Sequence, residues 1–149
     1  MSLQPSRLVV ESVPVAAILL FWNLLAWIVE FQNIGGPVRT AGTVMATLYV
    51  TVRGVSLASK TTPPAMMDVE SVVRENARLA VPAGAWFVAA MVLTGVDGTL
   101  SPYPPTPLTS VVATAIAGAG LGVVGLYAVA AGTAALRRDG GAVGVSADD

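Results

Sequence analysis

Four apolar stretches, each close to or above the length that crosses a lipid bilayer, fill more than half of these 149 residues. They run at about residues 13–30, 40–59, 79–96 and 111–136. A hydrocarbon core of ~30 Å takes about 20 helical residues, so each stretch reads as one crossing. Composition points the same way. The chain is 54% hydrophobic and 11% charged, with a mean hydropathy of +0.73. A soluble domain carries about a quarter charged residues, so lipid must be the solvent for much of this surface.

The runs are continuous, whereas membrane barrel strands alternate over about ten residues. A helix also satisfies every backbone amide within its own segment, as hydrocarbon requires. The expected fold is therefore all-α: a four-transmembrane-helix bundle built as two antiparallel hairpins. Residues 1–138 form one domain, and 139–149, Gly-rich and acidic, form a disordered tail. The first run resembles a signal sequence only superficially. It is too long for an h-region, and EFQN follows it in place of a small-residue cleavage site.

Basic residues fix the expected orientation. Arg7, Lys60, Arg74, Arg78, Arg137 and Arg138 fall on one side of the membrane, and only Arg39 on the other. By the positive-inside rule both termini are cytoplasmic in the cell membrane. Between the second and third spans, Thr62, Pro63 and Pro64 can open a helix. Met66, Val69, Val73, Ala77 and Ala80 then recur at helical spacing. The expectation is an amphipathic helix from about Pro64 to Arg78, running into the third span, its stripe covering the cytoplasmic end of the bundle or, alternatively, lying on the lipid surface or binding a partner. From Asp97 to Ser110, Pro102, Pro104, Pro105 and Pro107 predict an extended outer connection, with Tyr103 at headgroup level.

Ionisable groups at membrane depth are candidates for function. Arg53, inside the second span, offers five donors for an anion or headgroup; in a tight hairpin around Gly35 and Gly36 it also reaches Glu11. Glu30 and Arg39 sit at matching heights at the other end and predict an interfacial pair. Asn23 and Thr47 fall at one level, and Thr40, Thr43, Thr47 and Thr51 share a helix face. Two readings follow: interhelical hydrogen bonds, or a polar pathway or ligand contact formed by Asn23, Glu30, Thr47 and Arg53. On the fourth span, Thr114, Gly118, Gly122, Gly125 and Gly132 form a close-packing face with a G-x-x-x-G step. Its partner is another span of this chain, a second copy, or a larger membrane complex.

The missing residue types restrict the chemistry further. With no Cys and no His, the chain lacks thiolate ligands, the usual haem ligand and the commonest general base. The only lysine, Lys60, lies at a helix end, and no Asp falls within a predicted span, which leaves retinal linkage and two-aspartate proteolysis without their groups. No phosphate-binding fingerprint is present, and eight basic against nine acidic residues leave no electrostatic footprint for nucleic acid. No cofactor, metal or catalytic residue is therefore expected. What remains is a structural or accessory membrane subunit acting through helix packing, or a small homo-oligomeric transporter or channel. One lysine, no Cys and abundant Ala, Val and Gly are also what a GC-rich prokaryotic genome encodes.

Overall fold

The computed structural model describes residues 5–59, 69–100 and 106–143. It contains four helices: α1 (Pro5–Ile28), α2 (Gly35–Ala58), α3 (Val69–Leu100) and α4 (Pro107–Val143). A 3-10 turn, Glu30–Gln32, joins the first two, and Asn33 closes it in the left-handed region at φ 58°. Asn tolerates that conformation because its short side chain bonds locally. No strand occurs among the described residues. All four helices are long and apolar enough to cross a membrane, so the all-α membrane bundle expected from the sequence is the fold found.

The helices outrun the apolar stretches, because a charged residue changes a helix's solvent without ending its hydrogen-bond ladder. α1 begins at Pro5 and so carries Glu11 and Ser12 within it. α3 runs unbroken for 32 residues, about 48 Å, well beyond the hydrocarbon core. Its first turns are the described part of the expected amphipathic helix; residues 60–68, with Pro64 and Met66, lie outside the described residues. Among the described residues the stripe does not cover the bundle: Val73 is 61% exposed, and Ala77 and Ala80 are exposed too.

The outer connection is shorter than expected. α3 continues to Leu100, and α4 starts at Pro107. Proline is tolerated there because the first helical residue has no intrahelical use for its N–H. Thr106 caps the helix, its Oγ1 accepting from Thr109 N–H at 3.3 Å, while its own N–H donates to Asp97 Oδ2 at 3.0 Å. Pro102, Tyr103, Pro104 and Pro105 lie outside the described residues. At the other end α4 persists through Gly140 and Gly141 to Val143, so helix replaces the start of the expected disordered tail; residues 144–149 are outside the description.

The end where α1 begins and α4 finishes is here the basal end, and the opposite one distal. α4 is the centre of the bundle: it packs on α1, α2 and α3, whereas α2 and α3 do not meet. Leu8, Leu57, Ala83, Val123, Leu126 and Ala130 form the core cluster. Elsewhere small residues set the spacing. A Cβ on Gly42 would strike the Cβ of Trp22, and one on Gly54 would lie 2.7 Å from Val129 Cβ and 3.3 Å from Leu126 O. Lipid tails are as apolar as the helices, so close dispersion contact holds such interfaces in place of water expulsion. The buried face of α2 is accordingly Gly35, Gly42, Ala46, Gly54, Leu57 and Ala58.

Candidate functional site: the α1–α2 seam

Two ion pairs close the hairpin at its two ends. At the basal end Arg53 Nε donates to Glu11 Oε2 and Nη2 to Oε1, both at 2.6 Å. This bidentate fork is the strong geometry for a guanidinium and a carboxylate. The Glu11 side chain is only 13% exposed, against 40% for Arg53. Tyr49 adds a bond from its hydroxyl to Glu11 O at 3.3 Å. At the distal end Arg39 Nη2 donates to Glu30 Oε2 at 2.9 Å, with both side chains about half exposed. Glu11 and Glu30 are 19 residues apart, about 28 Å of helix, close to the thickness of the hydrocarbon core. Sliding the two helices by one turn would break both pairs at once, so together they lock the register.

The middle of the seam differs from the expectation. Asn23 Nδ2 donates to Leu19 O at 2.7 Å, within its own helix, and forms no bond with Thr47. Thr40, Thr43, Thr47 and Thr51 each donate to the carbonyl four residues earlier, at 2.9 to 3.2 Å. Their face is exposed. A hydroxyl that has given its proton to the backbone has none for a ligand such as a quinone carbonyl. The four candidate residues therefore do not converge: Arg53 and Glu30 belong to separate pairs at opposite ends, and Asn23 and Thr47 serve their own helices.

The glycine face of α4 finds its partners inside the chain. Gly118 meets the Leu19 tip and Gly122 packs on Val15, where an added Cβ would lie 3.0 to 3.2 Å from its atoms; a Cβ on Gly125 would lie 2.9 Å from Val50 Cγ1. Thr114 is exposed and a Cβ on Gly132 would meet nothing within 4 Å, so these two lie off the packed face. Between α1, α2 and α4, Gly118, Gly122 and Gly125 form, with Val15, Leu19 and Thr47 among others, a largely apolar groove of about 280 Å³. With the threonine protons committed, it suits a hydrocarbon chain.

Known protein families, curated proteins and solved structures provide no match to this chain. Function must be argued from the residues themselves.

Two features escaped the sequence reading. Ser12 is fully buried, donates to Val9 O at 2.8 Å and accepts from Trp86 Nε1 at 3.0 Å, tying α3 to α1. The apolar run begins at Val13, which left Ser12 outside the predicted span. Gly54 makes the tightest glycine contact with a β-branched side chain, Val129, yet it lies outside the stripes read from the sequence. The signal was present: Gly42 and Ala46, then Gly54 and Ala58, are small residues four apart. Among the described residues no group of three or more metal-ligating side chains comes together.

Proposed function

We propose that this chain is a non-enzymatic, multi-pass protein of the cell membrane, with both termini cytoplasmic, acting as a structural or accessory subunit through helix packing. One observation carries the reading: the candidate polar groups do not converge, since Glu30 and Arg53 pair at opposite ends of the seam and Asn23 and the α2 threonines bond to their own helices. A solute pathway needs polar atoms gathered along its length, whereas Asn23 gives one amide proton, and the four threonines of α2 their hydroxyl protons, to carbonyls of their own helices. The orientation rests on the basic residues, since Arg7, Arg53, Arg74, Arg78 and Arg137 belong to the basal half and Arg39 to the distal end. A partner would meet α4 along its outward line, where Leu121, Val124 and Leu136 are exposed, because the inner glycine face is already covered by α1 and α2.

The test is extraction of the chain in native lipid particles, followed by mass measurement of the intact assemblies. A subunit gives a fixed stoichiometry with a second chain or copy. A single free chain, together with solute flux in reconstituted vesicles that Asn23→Leu abolishes, would replace this reading by the small transporter with a polar path between the first two spans.

A further inference from the structure

Among the described residues Glu11 has two cationic neighbours, Arg7 and Arg53. Arg53 holds both of its oxygens, and Arg7 Nε approaches Oε1 at 3.9 Å, beyond hydrogen-bond range. Arg7 Nε and Arg53 Nη2 lie 3.9 and 2.6 Å from the same oxygen, so they are no farther apart than those two lengths end to end. Two guanidiniums share one carboxylate, which leaves the cluster net positive. A guanidinium has five N–H donors. Arg53 spends two on Glu11, and Arg7 spends none on it. Both side chains remain accessible, at 45% and 40% exposure. Their place is the basal edge of the bilayer, since Ser6 opens the first span and Ala58 closes the second. Arginines this near a helix end carry their heads toward the headgroup layer.

We infer that Arg7 and Arg53 bind the phosphate of an anionic glycerophospholipid in the basal leaflet. Two phosphate oxygens, each accepting a charge-assisted bond of about 2.8 Å, bridge donors at this separation. Glu11 holds Arg53 in one rotamer, so the fork loses little freedom when the phosphate arrives. It also takes up one of the two positive charges, which suits the site to a phosphodiester monoanion. A zwitterionic lipid presents the same phosphate with its own ammonium attached and gains far less from the excess charge. Attraction of about fivefold per guanidinium is the scale for basic groups at an anionic leaflet.

The full chain is reconstituted in nanodiscs of phosphatidylcholine containing a minority of phosphatidylglycerol, and the lipids retained on it are counted by native mass spectrometry. Phosphatidylglycerol is expected to be enriched over its bulk fraction. Arg7→Gln lowers that enrichment about fivefold, Arg7→Lys restores most of it, and neither moves the unfolding temperature in pure phosphatidylcholine, because Arg7 makes no hydrogen bond to Glu11. Equal retention by the parent chain and Arg7→Gln overturns the inference. So does displacement of the bound lipid by millimolar inorganic phosphate, which would mark a site for a soluble anion. The subunit reading is decided by stoichiometry and stands apart from either result.

Discussion

Gly54→Ala isolates what holds α2 on α4. A methyl there would lie 2.7 and 2.8 Å from Val129 Cβ and Cγ1 and 3.3 Å from Leu126 O. Carbon atoms prefer about 3.5–4.0 Å, so roughly 1 Å must be found. Val129 cannot supply it by rotation, because a β-branched side chain has one strongly favoured rotamer in a helix. Leu126 O is backbone, and the Leu126 residue is fully buried. The helices must separate instead, and a gap of this size forfeits a quarter to a half of each dispersion contact along the seam. Overpacking of this kind costs about 1–3 kcal/mol, offset by about 0.5–1 kcal/mol from alanine's better helix propensity. That leaves a net loss of up to about 2.5 kcal/mol, and at about 2–4 °C per kcal/mol for a chain of this size the unfolding midpoint in mild detergent, followed by tryptophan fluorescence, should fall by up to about 10 °C. Gly132→Ala is the control. Nothing lies within 4 Å of its built Cβ, so only the propensity gain remains and the midpoint should hold or rise by a few degrees, about 1–4 °C. Gly118→Ala should be mild despite its close contact, since the clash is with the tip of the flexible Leu19 side chain. A Gly54→Ala midpoint equal to or above that of Gly132→Ala would refute the reasoning.

Other expectations concern the polar contacts. In a double-mutant cycle of Ser12→Ala with Trp86→Phe, the coupling should be about 0.5–1.5 kcal/mol, that of one hydrogen bond; zero coupling would mean that α3 is held by packing alone. Glu30→Gln should cost at most about 1 kcal/mol, shrinking further in high salt, because the Arg39 pair is half exposed; a larger, salt-insensitive loss would contradict that. The chain contains no Cys, so single cysteines report on topology directly. In intact cells a membrane-impermeant thiol reagent should label Asn33→Cys and should reach Ser6→Cys only after permeabilisation; the reverse pattern inverts the proposed orientation.

The fold was legible because each apolar run carries its own evidence. Length and the need for internal backbone bonding leave a helix as the solution, and the hairpin alone brought Glu11 to Arg53 and Glu30 to Arg39. The middle of the seam was not legible in the same way. Asn23 and Thr47 share a level, but a level does not decide between a neighbouring helix and a carbonyl four residues back, and the local bond has no partner to position. The α4 glycines announced close packing, and Gly118, Gly122 and Gly125 provide it, while Thr114 and Gly132, about five turns apart, both point outward on the side of the exposed Leu121. Gly54 was visible as a residue but not as a contact, since its meaning depends on Val129 from a helix 75 positions later. Pro107 was read as a breaker and acts as a helix start, which depends on Thr106 being the residue before it.

The central place of α4 has a consequence for how the protein is made. A ribosome adds about 5–20 residues per second, so α1, α2 and α3 are in the membrane for seconds before α4 follows. During that interval α2 and α3 have no contact with each other, and three members of the core cluster, Val123, Leu126 and Ala130, have not yet been inserted. What exists is a hairpin fastened at both ends and a third helix tied to it largely through Ser12 and Trp86. Gly54 and Val15 wait with open surfaces for a helix still in the ribosome. Assembly of these four helices is therefore completed by α4, the last of the four to be made, and a product released before residue 107 would retain the hairpin but have no bundle to join. For such a fragment, membrane quality control would meet an unfinished interface instead of a misfolded one.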